Sequence, residues 1–551
     1  MSRRLIFVLL AISSFDIAMR WCCEGFVPPL PLSRREYVAV GDVEPAVRLP
    51  SVGLEPLHAL IDENGTPDHT SKLIKEYKVG TGKKILDLSI PALGALLIDP
   101  LLTLADTAFV GRFSESANEL AGMGSAAALL TFSFYVFNFL CTATTPLVSS
   151  KRAAGKETEA MAVGGQALSL ALGLGSVLAI GLITLRQPLL DIMGTSVSGI
   201  EANGFAIDFL TIRAFAAPAV FCISAATGIL RGYLDTKTPI VILVLANIVN
   251  LALDVVLIAY GHMGPSGAAI ATTVAEWISA LLFLGVLAGK LPSADGQLGK
   301  KGTGDTEETL SVTPALSIPP WDEMEPLIVA SSSVFLRSLS LQLSLSAAAA
   351  FAARGGETVS GGAASSISAH QIAIQLWVLC SFISDSLAAA SQGLVADALG
   401  REDETDVRDV SKTVFVYSAI LGLILALLLQ VGYSTGFLLD FFTSDAGTQA
   451  ALSEILTLIV VAQPLNSLVF AADGILQGAS EFTFQAKSMA LSAGTAALTF
   501  AFLESIDVAD TLVNVWAALI ILQLMRGITS AVKIVEEDGP IKLLGPSPNK
   551  R

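Results

Sequence analysis

The sequence predicts an all-α polytopic membrane protein, with twelve transmembrane helices in two six-helix parallel-repeat lobes around a central cavity. Three observations predict it. First, 53% of the 551 residues are hydrophobic and 15% are charged, with a mean hydropathy of +0.66. A soluble domain carries about 25% charge, so a soluble multidomain enzyme is excluded, as is a disordered chain, which needs low hydrophobicity and high charge. Second, apolar runs of about 20 residues, the length of helix that crosses the hydrocarbon core, recur from residue 84 onward. Third, motifs of the first half return in the second at a nearly fixed offset.

The runs lie near 85–111, 118–148, 160–186, 204–230, 238–260 and 266–289, then 324–352, 364–397, 411–433, 450–477, 483–504 and 511–534. Many contain Gly, Ser and Thr, which permit close helix packing in lipid. Lys and Arg concentrate on one side: Lys72 to Lys84 before the first run, then Lys151, Arg152, Lys156, Arg231, Lys237, Lys300, Lys301, Arg401, Arg408, Lys412, Lys487, Lys533 and Lys542. The opposite loops hold Arg112, Arg186 and Arg354. This asymmetry orients the chain with both ends on one face, cytoplasmic or stromal, called the inner face below.

The repeat rests on two windows. Pro218 precedes Gly228-Ile-Leu-Arg-Gly232 as Pro464 precedes Gly474-Ile-Leu-Gln-Gly478, at an offset of 246 residues. Leu147-Val148 before Gly155-Lys156 is matched by Leu394-Val395 before Gly400-Arg401. Six spans return the chain to its starting side, so the halves are parallel repeats about an axis along the membrane normal, the architecture of a rocking transporter with a central cavity. The reading gives an N-lobe over 84–290, a polar interlobe linker over 291–322, a C-lobe over 323–535 and a polar tail over 536–551.

Residues 1–70 read as a disordered targeting segment. Arg3 and Arg4 precede an apolar stretch, 5–18, too short to span, which is the pattern of a signal peptide. Phe26 beside Pro28 then resembles the start of the transit peptide in the bipartite presequences of algae with secondary plastids. A plain secretory signal with a disordered tail is the alternative, and Glu36, Asp42, Glu44 and Glu55 fit a transit peptide less well.

The net charge of −16 makes a poor nucleic-acid binder, since phosphate neutralisation needs clustered Lys and Arg. The five cysteines form neither a disulfide framework nor a metal spacing. The four histidines are scattered, so neither a metal nor an organic cofactor is expected.

Ionisable groups in apolar spans are functional suspects. Asp99 and Asp106 lie seven residues apart on the first span, within about 20° of one helical face. Pro100 between them is expected to kink that helix. Asn250 and Asp254 on the fifth span are at i, i+4 and stack on one face. By helix rise Asp106 lies roughly 30 Å and Asp254 roughly 25 Å from the inner face. The two acids can therefore meet, and acids that meet share a proton or a cation. Thr272 on the sixth span could complete the patch. In the second half Asp385 and Asp473 are candidates for the cavity wall, with Arg337 placed to pair with one of them. Gln371, Gln375 and Trp377 could supply amide and aromatic contacts to a substrate. Glu276, Asp208 and Arg213 are looser candidates of the first half.

Pro91, Asp106-Thr-Ala-Phe-Val-Gly111, Thr145-Pro-Leu-Val148, Leu230-Arg-Gly-Tyr-Leu-Asp-Thr-Lys-Thr-Pro239, Asn250 with Asp254, Gly267-Ala-Ala-Ile-Ala-Thr272 and Ala369-His-Gln-Ile-Ala373 together resemble the multidrug and toxic compound extrusion (MATE) family. The nearest subgroup is the DinF-like branch with its plant plastid-type members. The resemblance covers about 84–535. It implies a twelve-span antiporter that exports small organic molecules in exchange for H⁺ or Na⁺. The family's N-lobe acid falls on Asp106 and its companion polar residues on Asn250, Asp254 and Thr272. The Na⁺-type bacterial members carry C-lobe acids on the seventh and tenth spans. Here the seventh span has no mid-membrane carboxylate and Asn466 stands on the tenth, which favours N-lobe proton coupling.

The expected partners are a small organic substrate, cation or organic anion, and the lipid bilayer, with the protein a monomer. The expected location is the plastid envelope, with another endomembrane or the plasma membrane as alternatives. Two rivals fit less well. A lipid-linked-precursor flippase should have extra spans and a strongly basic cavity. An intramembrane enzyme should have a paired Ser/His set, a histidine-metal cluster or an aspartate-rich motif.

Overall fold

In the computed structural model of the chain, the described residues are 80–98, 110, 117–136, 139–192, 200–294, 311–314, 321–354, 362–506, 510–537 and 539–543. Met1–Lys83 and Lys84–Arg551 form separate units, and the fold of the second follows. The targeting segment expected over 1–70 lies outside the described residues, as do Asp99, Pro100 and Asp106.

Every regular element among the described residues is a helix. The first half contains α1 (80–98), α2 (Ala117–Val136), α3 (Phe139–Ala153), α4 (Glu157–Thr184), α5 (Arg186–Ile192), α6 (Ile200–Ala214), α7 (Ala217–Gly232), α8 (Lys237–Asp254) and α9 (Gly264–Leu287). The second contains α10 (Trp321–Arg354), α11 (Gly362–Gly400), α12 (Glu404–Ser434), α13 (Phe437–Phe442), α14 (Ala446–Gly478), α15 (Phe482–Ser505) and α16 (Thr511–Val535). Among the described residues, ten stretches are long and apolar enough to cross a membrane, and α6 with α7, bent by 46°, makes an eleventh. The first expected span starts as α1 and continues outside the described residues.

The repeat is visible in how the small residues pack. Gly228 and Gly232 of α7 lie on α3, where a Cβ on Gly228 would stand 2.8 Å from the Cys141 carbonyl oxygen. Gly474 and Gly478 of α14 lie on α11 in the same way, and a Cβ on Gly474 would strike the Ala388 carbonyl. These are GxxxG contacts, in which missing side chains let two backbones touch without a hydrophobic driving force.

The lobes are less separate than expected. Leu327, Ala330 and Val334 of α10 pack into the core of the first half beside Phe139, Leu140 and Phe221. Ile85 of α1 packs into the core of the second, beside Leu394, Val395 and Ile475. Each half thus begins with a helix whose inner end is seated in the other half.

Parts of the stretches read as linker and tail are packed. Val312 is buried in the first-half core, and its N–H donates to the Leu287 carbonyl at 2.7 Å. Ile541 and Leu543 are buried in the second-half core, and Leu543 N–H donates to the Ile534 carbonyl at 3.2 Å. In each half the chain that leaves the sixth span folds back and covers apolar surface left at that helix's inner end.

Candidate transport site

Asn250 and Asp254 share the buried face of α8, and each is fully buried. Asn250 Nδ2 donates to Asp254 Oδ2 at 2.9 Å, the bond that the i, i+4 spacing predicts. Directly after Asp254 the helix widens into a π-turn over Val255–Tyr260. Such turns interrupt the regular backbone ladder and frequently sit at functional sites. No side chain in this stretch announces one, and sequence reasoning missed it. Thr272 on the neighbouring α9 is buried, and its hydroxyl donates to the Ala268 carbonyl at 2.9 Å, the common accommodation of a threonine within a helix.

The break between α6 and α7 is stitched to α9. Arg213 donates both terminal guanidinium nitrogens to the two carboxylate oxygens of Glu276, one of them at 2.8 Å. Trp277 Nε1 donates to the Phe215 carbonyl at 3.1 Å, a carbonyl at the break itself. Two of the loose candidates therefore hold a bend together, and Asp208 stays exposed on α6.

In the second half, Asp473 is buried on α14. Its Oδ2 accepts from Arg337 of α10 and from Arg526 of α16, and its Oδ1 accepts from Gln485 Nε2 of α15 at 3.3 Å. Arg526 Nη1 also donates to Gln523 Oε1 at 2.6 Å. Gln523 Nε2 donates to Asn466 Oδ1 at 2.8 Å, and Asn466 Nδ2 to Ser381 Oγ on α11 at 3.2 Å. One continuous network therefore joins α10, α11, α14, α15 and α16. Sequence reasoning placed Arg337 beside Asp385 or Asp473, and the structure selects Asp473. The pairing of Arg526 with Asp473, and the parts of Gln485 and Gln523, were missed, because the network runs between spans and leaves no local spacing to read.

Asp385, half-buried on α11, lies within electrostatic reach of Arg231 of α7, Arg337 and Asp473. Gln371 and Gln375 are exposed one turn apart on the outer half of α11. Trp377 stands edge-on to Trp516, with ring centroids 6.1 Å apart, and packs against the second-half core. The structure does not gather these five residues into one cluster: Asp385 and Asp473 share the arginine network, whereas Trp377 belongs to the packing.

The MatE family model matches residues 91–256 and 358–503, one block in each half. The chain belongs to the MatE family. That makes it a multi-pass membrane transporter of the multidrug and toxic compound efflux class. Protein DETOXIFICATION 44, chloroplastic, of Arabidopsis thaliana is 28% identical over 524 residues, 92% of each chain. DNA damage-inducible protein F of Escherichia coli strain K12 is 29% identical over 460 residues, 83% of this chain and 92% of the other. A crystal structure of MATE in the bent conformation superposes with a TM-score of 0.72 over 84% of this chain and 96% of its own, at 19% identity. The MATE fold, in two halves of six spans, is the fold of this chain.

Proposed function

We propose that this MatE-family chain exports small organic compounds in exchange for protons, by alternating access, from a plastid envelope membrane. The observation that carries the coupling is the fully buried Asn250–Asp254 pair at the start of a π-turn. A fully buried acid in a membrane span can take up and release a proton, and the widened turn gives the helix a place to respond. Asp473 is not assigned this role, because its oxygens accept from two guanidiniums and an amide. Asp106 is the proposed companion acid and Pro100 the proposed hinge of the first span, both outside the described residues.

The substrate is a small organic compound. Buried acids without buried bases would favour cationic cargo, but the second half sets Arg337 and Arg526 beside Asp473. The plastid location is supported by relatives named chloroplastic and by the Phe26 pattern after the apolar leader, which points to a secondary plastid.

The test is transport by purified protein in liposomes, with a panel of fluorescent organic cations and anions and an imposed pH gradient. The wild-type chain moves at least one of them against its own gradient, and Asp254→Asn and Asp106→Asn lose that movement. Undiminished pH-driven flux in Asp254→Asn, or flux that follows a Na⁺ gradient instead, removes the proton-coupling role.

A further inference from the structure

Hydrogen bonds join the two halves where the inner ends of α3 and α11 cross. Ser149 Oγ donates to the Gly393 carbonyl at 3.0 Å, Gln392 Nε2 to the Thr142 carbonyl at 2.6 Å, and Arg152 Nη2 to Asp397 Oδ1 at 3.1 Å. The bonded residues are 244, 250 and 245 positions apart, close to the repeat offset. α3 and α11 are thus counterparts that meet each other, and their crossing lies on the pseudo-two-fold axis. The backbones touch there because Gly400 has no side chain: a Cβ would strike the Ser150 carbonyl and stand 2.8 Å from the Ala153 Cβ.

The charged pair belongs to a wider set. The Arg152 guanidinium lies over the Tyr233 ring, 5.7 Å from its centroid. Tyr233 donates its hydroxyl to Glu157 at 2.7 Å, and burial, with the Glu157 acceptor second, pushes that phenol above its usual range, so it remains a neutral donor. Asp397 also accepts from Arg401 Nε at 3.1 Å, and Arg401 reaches on to Asp406 at 2.6 Å. The chain Tyr233–Arg152–Asp397–Arg401–Asp406 therefore runs from α7 through α3 and α11 to α12.

We propose that this crossing is the inner gate of the transport cycle. Arg152, Asp397, Gln392 and Thr142 hold the inner side closed, and their bonds part each time the halves rock to admit cargo from that side. The chemistry suits a contact that must break and re-form. The Arg152 and Asp397 side chains keep 23% and 14% of their surface exposed, and ion pairs in contact with water contribute little net free energy. At this crossing the side-chain bonds between α3 and α11 are polar, so water can replace them when the helices separate, while Leu234 adds an apolar contact to the second-half core. Glycine at 400 lets the helices close fully; any side chain there is a wedge. The inference rests on family membership and not on the identity of the coupling acid.

The test is a distance measurement between the outer ends of the halves, which must approach one another when the inner gate opens. Spin labels are placed at Leu185, at the outer end of α4, and Val431, at the outer end of α12, both more than half exposed; the native cysteines are replaced by serine. Distances are recorded in nanodiscs without substrate or ion gradient. The Arg152→Gln, Gln392→Ala double variant shifts the distribution toward shorter distances, and Gly400→Ala shifts it further. High salt shifts the wild-type chain the same way, though modestly, because it screens a pair that is only partly exposed, and adds nothing in the double variant. If Gly400→Ala does not fold, the double variant and the salt series still decide. A distribution unmoved in the double variant and by salt overturns the gate and makes the crossing a fixed hinge. Loss of pH-driven flux in Asp254→Asn is read separately in liposomes, so either idea can fail without the other.

Discussion

In the first half, Asp254 sits in the outer part of the membrane, about 26 Å by helix rise from Lys237 at the inner end of α8, bonded to a neutral amide. In the second, Asp473 sits five residues from the inner end of α14 between two guanidiniums. Moved by the 246-residue offset, Asp254 falls on Phe500 and Asp473 on Thr227. The glycines of the GxxxG contacts do coincide under the same shift. Packing follows the repeat, whereas buried charge does not. The repeat builds a frame of closely packed helices, and each half then carries its own polar chemistry at its own depth.

The fourth spans differ in the same spirit. Pro218 and Pro464 are counterparts, and each lacks the N–H that would continue the helix ladder. In the first half the chain breaks into α6 and α7 with a 46° bend, and Trp277 satisfies the Phe215 carbonyl from the neighbouring helix. In the second, α14 runs through Pro464 as a single helix of 33 residues. There Gln463 Nε2 donates to the Ile459 carbonyl at 3.1 Å within the same helix. The proline alone does not decide whether a span bends; what matters is whether the carbonyls near it are served from inside the helix or from outside.

The sharpest way to break the comparison of charges is to remove each acid. Asp473→Ala leaves Arg337 and Arg526 without their counter-ion, and breaking a buried pair in this way costs about 3–5 kcal/mol. Its thermal melting in detergent drops steeply, whereas that of the near-isosteric Asp254→Asn stays close to wild type. Equal losses in the two variants would show that Asp254 too is a structural counter-ion. A smaller effect tests the bend: Gln463→Leu and Trp277→Phe each remove one bond to a backbone carbonyl, at about 1 kcal/mol each. Amide exchange should rise around 459–464 in the first variant and around 212–219 in the second, and no rise in either would separate the amide and the indole from the control of the bend.

The smallest effects lie at helix starts. α12 begins under Asp403, which accepts from the N–H groups of Thr405 at 3.1 Å and Asp406 at 3.0 Å. Its counterpart α4 begins at Lys156 with no side-chain cap. Asp403→Ala therefore costs about 1 kcal/mol and Lys156→Asp adds protection, both read from exchange in the first turn. At α14 the Thr448 hydroxyl and N–H hold the Asp445 carboxyl below the usual carboxylate range. With its folded value lowered, this cap stabilises fully above the unfolded carboxylate value and is lost as pH falls through the lowered one. Protection over 446–450 should fall on acidification in the wild-type chain and stay flat in Asp445→Asn; matching profiles would exclude the cap.

Much of the frame was legible, because a span is a bulk property of about 20 residues and survives errors at its ends. Asn250 with Asp254 was legible because both sit on one helix at a spacing that geometry fixes. The Arg526–Asp473 pair was not, since its members are 53 positions apart and only packing brings their helices together. Nor were the seats of Val312 and Leu543 visible, since each stands in a short stretch with no helical period to mark which apolar residue is buried. The seating of α1 and α10 in the opposite halves was hidden for a related reason: an apolar helix end shows that it is buried but not against what.

Val312 changes what the connection between the lobes can do. A stretch running from Leu287 to Trp321 would be slack enough to let the lobes drift. Val312 is bonded to the Leu287 carbonyl, and nine positions of sequence separate it from Trp321, a contour of at most roughly 30 Å. Because Leu327, Ala330 and Val334 of α10 lie in the same first-half core as Val312, both anchors of this connection belong to one half, and the chain passes to the other inside the helix α10 itself.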